Sequence, residues 1–302
     1  MKLSELLPAY LPQYAFSLQN EQEFETLGLI ISPLETPFCT FVDGEKSIKD
    51  VSDHVSMVIT TEELAPKLLT EDRGVCIVDA PRIVYFRLHN VLSAQELYAR
   101  KKEKTVVGAN CMIHPTAIIA DSNVVIGDNV IIEEYAVIRE NVTIGDNTII
   151  RAGVKLGFPD FEFKKEDGKL FGVEHCGGVV IGKEVEILPN TCINKALYPW
   201  DDTVVGDYCK IDMLVQISHA VKIGAGSMIV GLSGIGGRTE IGKNCWVGYG
   251  CTVRNGIHVG DNSRINMGAV VSRDVEDGQA VTGNFAIDHE VFMKNLKKSI
   301  KG

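Results

Sequence analysis

Residues 204–229 read VVGDYCKIDMLVQISHAVKIGAGSMI, and an aliphatic residue stands at every sixth position: Val205, Ile211, Ile217, Ile223 and Ile229. Backward the series continues through Ile193, Ile187 and Ile181. Forward it runs through Ile235, Ile241, Val247, Val253, Val259, Ile265 and Val271, and only the position at Pro199 breaks it. An earlier block, Ile126, Ile132, Ile138, Ile144, Ile150 and Leu156, is preceded by Ile113 and Ile119, with one extra residue before Ile126. Six is neither the 3.6 of an amphipathic helix nor the 2.0 of a strand. It suits a short strand plus a turn. Three such sides make a triangular coil, and coils stack as parallel strands about 4.8 Å apart. Glycine follows many anchors (IGDN, IGKE, VGDY, IGAG, IGKN), and Gly, Asn and Asp are expected to take the strained corner conformations. The alternative is a β-sandwich with chance periodicity; fifteen aliphatic residues at sixteen consecutive register positions argue against it. The predicted fold class is mainly β, a parallel β-helix of hexapeptide repeats.

Outside the repeat the chain reads differently. Residues 1–100 mix strand-like runs (FCTFV, VSMVITT, GVCIVDA) with helix-like ones (EELAPKLL, PRIVYFRLHNVLSAQELYARKK), which predicts a small N-terminal α/β domain. The β-helix domain is expected over 101–283 and a short C-terminal helix over 284–302, with Asp288 as N-cap and Phe292, Leu296 and Ile300 on one face. Residues 157–178, GFPDFEFKKEDGKLFGVEHCGG, interrupt the repeat; EDGKLF reads as a hairpin turning at Asp167-Gly168. Phe158 and Phe161 in this aromatic excursion are candidate substrate contacts. A second excursion, KALYPWDD, occupies 195–202.

Composition narrows the function. The 302 residues carry a net charge of −10, against the basic face of a general nucleic-acid binder. No stretch approaches the roughly 18 apolar residues of a membrane span. The start lacks a secretory pattern, and the eight cysteines show no CxxC pair, so a reducing cytoplasm is the expected location.

The repeat resembles that of the hexapeptide-repeat acyltransferases, and the resemblance implies acyl transfer from a thioester. That chemistry needs a base, an oxyanion donor and a cleft that holds both substrates, with no bound cofactor or metal. The base candidate is His219 in VQISHAVKIG, two residues after the anchor Ile217, which directs its side chain outward. Gly237 lies eighteen residues on, one coil later on the same face. It reads equally as a backbone oxyanion donor or as a corner glycine.

The pattern resembles the hexapeptide-repeat acyltransferases, which implies left-handed coils and a homotrimer with active sites in clefts between neighbouring prisms. It is similar in particular to the UDP-3-O-acylglucosamine N-acyltransferase family of lipid A synthesis. CTFVDGEK, IHPTAIIADSNVVIGDNV, DDTVVGDYCKID and VQISHAV carry the likeness. The resemblance implies that His219 is the general base and that the Gly237 amide lies one coil above it. Asp212 and Gln216 would orient the base or contact the sugar, and Phe41 would contact the nucleotide base. Gly44 and Ser47 stand where the family has Asn and Tyr, Asn194-Lys195-Ala196 replaces a DRG-like triplet, and Ala220 replaces an Asn. Ile257 replaces a second His, with His258 one place on as a substrate-contact candidate. These departures point to a nucleotide-linked amino sugar other than the lipid A precursor. The donor is an acyl thioester of coenzyme A or of an acyl carrier protein. Three other readings remain open: O-acylation of a sugar hydroxyl, a γ-class carbonic anhydrase using histidines among His114, His175, His219 and His258, and a non-catalytic trimeric scaffold.

Overall fold

The computed structural model describes residues 1–283 and 286–301, with the side chains of Ile300 and Lys301 excepted. It divides into two compact units.

The larger unit comprises Lys104–Phe158, Val179–Asn194 and the chain from Thr203 onward. It is a left-handed parallel β-helix whose three faces hold nine, eight and eight strands. The first face carries Lys210–Ile211, the second Gln216–Ile217 and the third Lys222–Ile223. Anchors pair with anchors one coil on, as in Ile211 with Ile229, Ile217 with Ile235 and Ile223 with Ile241. The anchors from Ile126 on are buried in one continuous aliphatic core, because an eighteen-residue coil returns each to the same column.

Most of the two-residue turns where faces meet have positive φ at their second member. Asn fills it at Asn129, Asn147, Asn244 and Asn262, with φ of 57°, 57°, 54° and 57°; its short polar side chain tolerates this region better than most. Aspartate behaves otherwise than the sequence suggested. It precedes the left-handed residue and caps a neighbouring coil. Asp146 Oδ1 accepts the Asp128 N–H at 2.9 Å, and Asp261 Oδ1 accepts the Lys243 N–H at 2.7 Å.

Two excursions stretch the register. Leu156 pairs with Ile193, and Ile187 with Ile211, 37 and 24 residues on. The missing segments, Pro159–Gly178 and Lys195–Asp202, group with the N-terminal unit, whose own part ends at Glu103. The sequence reading places both within the β-helix domain. The C-terminal helix, His289–Lys301, is capped by Asp288, whose Oδ1 accepts the Glu290 and Val291 N–H groups. Phe292 and Leu296 are exposed on it; the Ile300 side chain lies outside the described residues.

The N-terminal unit is an α/β sheet. Its strands are β1 (Ser17–Gln19), β2 (Thr26–Leu27), β3 (Phe38–Val42), β4 (Val55–Thr60) and β5 (Gly74–Ile77), in the order β1-β5-β4-β3-β2. All pairings are parallel except that of the edge strand β1. Helix α1 (Leu3–Tyr10), unmarked in the sequence reading, buries Leu3, Leu6 and Leu7. Helix α2 is only Ala65–Leu68. Helix α3 (Pro81–Leu92) stops well short of the helix-like run to Lys102, where Ser93 Oγ donates back to Asn90 O at 2.7 Å. The excursions complete this core. Val173, Leu197 and Tyr198 are buried in it, the Tyr85 hydroxyl bonds that of Tyr198 at 3.0 Å, and Trp200 Nε1 donates to Leu27 O at 2.8 Å. Arg100, near the end of that helix-like run, binds Pro199 O, Asp201 O and the Asp202 carboxylate. The expected hairpin forms between Phe163–Glu166 and Lys169–Gly172, with φ of 47° at Asp167 and 80° at Gly168.

Candidate functional site

His219 opens the turn between the second and third faces. Its main chain is tied on both sides: Ser218 N–H donates to Ile235 O at 3.0 Å, and His219 O accepts the Arg238 N–H at 2.9 Å. The side chain lies outside the aliphatic core, yet it is only 7% exposed, so the outward His is an enclosed one.

Gly237 is the next residue up this edge, and its place is set by the imidazole. A Cβ built on it would lie 2.5 Å from His219 Cε1 and 2.6 Å from Nε2. The ring therefore rests directly on the glycine backbone, and no other residue leaves it room. Gly237 is not a left-handed corner glycine; the positive φ of this turn, 59°, belongs to Arg238. Its N–H meets no acceptor among the described residues. The corresponding N–H groups of Asp128 and Lys243 are each taken by an aspartate. A base and a spare backbone donor thus stand side by side, one coil apart.

Gln216 is exposed on the second face and donates from Nε2 to Ser218 Oγ at 2.9 Å, which places it beside the histidine turn. Asp212 is not brought to His219. It lies on the edge between the first and second faces, where its carboxylate accepts Met213 N–H at 2.8 Å and Gly231 N–H at 2.9 Å. His258 sits on the third face, exposed, with Nδ1 3.7 Å from Glu240 Oε2. Phe158 ends the prism strand Lys155–Phe158, with the Arg139 guanidinium 4.6 Å from its ring centre. Phe161 belongs to the N-terminal unit and is 87% exposed. His175 also belongs to that unit, so the prism holds one histidine fewer than the sequence reading gave it. Among the described residues no three His, Cys, Asp or Glu side chains are grouped to hold a metal ion.

Phe41, next to last in β3, is half-buried, its ring 4.9 Å from that of Tyr85 and 5.7 Å from that of Phe86. The Arg82 guanidinium lies 5.3 Å from its centre and is held by Asp43 at 2.8 Å. Two adjoining clefts of about 480 and 520 Å³ open where β4 and β5 end, sharing Ala15, Val78 and Asp79. Glu62, Glu63, Glu166 and Asp167 make them acidic, and neither is lined by Phe41. Their charge disfavours an anionic nucleotide.

The repeat family described as bacterial transferase hexapeptide (six repeats) matches residues 123–157, and the hexapeptide repeat of succinyl-transferase matches 238–273. The chain is 36% identical over 150 residues to a UDP-3-O-acylglucosamine N-acyltransferase of Delftia acidovorans, covering 50% of this chain and 44% of that protein. It is 46% identical over 95 residues to one of Rickettsia massiliae, covering 32% and 27%. The matched stretch thus spans less than half the length of these relatives. Among solved structures, the Arabidopsis UDP-N-acetylglucosamine acyltransferase superposes with a TM-score of 0.50 at 22% identity, over 64% of this chain and 73% of that one. That likeness is one of fold.

Proposed function

We propose that this chain is an acyltransferase that moves an acyl group from a thioester to the amino group of a nucleotide-linked sugar, with His219 as general base. The observation that carries the reading is the imidazole of His219 packed on Gly237, beside an N–H with no acceptor among the described residues. The relatives' activity, named for an N-acyltransferase on a UDP-linked sugar, supports the same class.

In this reading the amine nitrogen attacks the thioester carbonyl carbon and the C–N bond forms. The carbonyl oxygen becomes an oxyanion, which the Gly237 N–H stabilises. His219 takes the proton that the attacking nitrogen sheds. Collapse breaks the C–S bond, and the imidazolium returns the proton to the departing thiolate. Gln216, exposed beside the turn, would meet the sugar. Phe41 would stack on the nucleotide base, with Arg82 and Asp43 at its rim. The donor is coenzyme A or an acyl carrier protein.

The active form in this proposal is a homotrimer. Met213, Leu214, Leu232, Tyr249 and Met267, each about half exposed or more, line one edge of the prism over successive coils. An apolar stripe of this kind calls for a cover, and a second copy is the simplest one. Light scattering at micromolar concentration is expected to give three times the chain mass; a monomer contradicts it.

The test of the base is His219→Ala. Turnover of an acyl thioester with a nucleotide amino sugar is expected to fall about 10²–10⁴-fold with the fold retained. Near-normal activity in the folded variant removes His219 from the mechanism.

A further inference from the structure

The turns of the prism are tied by a repeating backbone bond. The residue with positive φ donates its N–H to the first turn residue of the coil below: Arg238 to His219 O at 2.9 Å, Asn244 to Ala225 O at 3.0 Å, Gly256 to Gly237 O at 2.9 Å. Ala220, at φ 58°, holds this position in the His219 turn. The turn that should lie below it is missing, because the chain leaves the repeat after Asn194 and re-enters at Thr203. The Ala220 N–H is taken by a side chain instead. It donates to Thr203 Oγ1 at 2.8 Å, and the same hydroxyl donates to Asn194 O at 2.6 Å.

Other buried hydroxyls of the prism serve a different bond. Ser227 and Ser233 accept the N–H of Cys245 and Cys251, eighteen residues on, and donate to Gly242 O and Gly248 O of that next coil. Thr203 accepts from a residue seventeen positions on and donates to the point where the chain departs. It is fully buried. Its single proton is committed to Asn194 O, so a lone pair faces Ala220 and the arrangement has one sense.

We propose that Thr203 is the positioning residue of the base: its hydroxyl replaces the lost backbone tie below the His219 turn and so fixes the imidazole against Gly237. The catalytic part rests on the function proposed above; the structural part does not. An alanine at positive φ is strained, and the bond to Thr203 is what holds it there. Without it, the 219–220 peptide relaxes and carries the ring with it.

The test compares Thr203→Val, which keeps the shape and removes the hydroxyl, with Thr203→Ser, which keeps the hydroxyl. In histidine-labelled protein, with the His219 ring signal assigned by its loss in His219→Ala, the valine variant is expected to shift that signal and leave that of His89 in place. Ala220 amide exchange should quicken at least about tenfold. Turnover should fall at least about tenfold with both KM values within about twofold, the mark of a misplaced group. The serine variant should match the parent in all three. Unchanged Ala220 exchange and His219 signal in the valine variant, or a serine variant as impaired as the valine one, overturns the proposal. If the valine variant does not fold, Thr203→Cys fills similar space with a poor hydrogen-bonding group and carries the same comparison. If no thioester and sugar pair is turned over by the parent, the function proposal fails while the exchange and ring signals still decide the role of Thr203.

Discussion

Replacing Gly237 by alanine adds one methyl where His219 now rests. The new Cβ would stand 2.5 Å from Cε1, 2.6 Å from Nε2 and 3.0 Å from Nδ1. Ordinary carbon–carbon contacts begin at about 3.5 Å, so the ring must retreat by about 1 Å. A displacement of that size at a reacting group costs on the order of 10²-fold in rate. The backbone itself accepts the change, since Gly237 is outside the positive-φ region, and crowding the enclosed ring should cost about 1–3 kcal/mol of stability. The expected result is therefore a kcat lowered about 10²-fold in a protein that still folds, with a melt lowered by several degrees at most. The assay is steady-state turnover of an acyl thioester with a nucleotide amino sugar, beside a thermal melt. A double variant adds a second check: in a His219→Ala background the alanine at 237 should cost nothing further, because the two residues act as one unit. Activity near that of the parent in folded Gly237→Ala refutes the reasoning, since it would mean that the ring's position does not matter.

Two further outcomes are expected. Phe41→Ala should raise the acceptor KM several-fold, as loss of a stacking contact worth about 1 kcal/mol does, and leave the donor KM nearly unchanged; a melt lowered as for a full core truncation, about 3–5 kcal/mol, with both constants disturbed would show a packing role only. His89 gives a pH dependence of stability: burial holds its imidazole down at about 4 from 6.5, with Nδ1 2.9 Å from the Tyr98 hydroxyl and Nε2 2.8 Å from Glu174 O. Between those values the unfolded chain binds the extra proton, so the stabilisation is complete above pH about 6.5 and is lost as pH falls toward 4, a change of about 3 kcal/mol. Urea melts at pH 7.5 and 4.5 read it directly, and equal midpoints would contradict it.

The prism was legible because its signal is one-dimensional. An aliphatic side chain every sixth residue needs no knowledge of distant partners, and the anchors fell where the period put them. What a period cannot show is what covers the outside. His219 stands at a turn position of the repeat, yet its enclosure depends on packing that no local pattern encodes. The destination of Pro159–Gly178 and Lys195–Asp202 was hidden for the same reason: Tyr198 reads as an ordinary loop aromatic until Tyr85, more than a hundred residues away, supplies its hydroxyl partner. Asp212 failed differently. The resemblance implied that it orients the base or meets the sugar, but two backbone N–H groups on another edge claim its oxygens. Thr203 went unread because TVV after a break looks like the start of any strand. The only sequence sign was its place at the return of an excursion, one coil below the histidine.

The site of the base follows from where the repeat is broken. Phe158 and Asn194 are register partners on adjacent coils, so the chain departs twice from the same edge, each time at the end of the second face. A departure at a turn is cheap, because the two ends of the inserted loop lie close together and the cost of closing it grows only slowly with length. It leaves the strands above and below paired, and the stack of the second face runs unbroken through both interruptions. What it removes is the turn, and with the turn the backbone carbonyl that should hold the next corner. Corners over intact turns keep the backbone tie and tolerate many residue types, as Leu214, Leu232 and Tyr208 show at positive φ. At the corner above the second departure a threonine hydroxyl stands in for that carbonyl, and a glycine gives the imidazole its room. There the side chains, not the repeat, determine the geometry, and that is the place where a histidine can be held in one orientation while the rest of the prism stays regular.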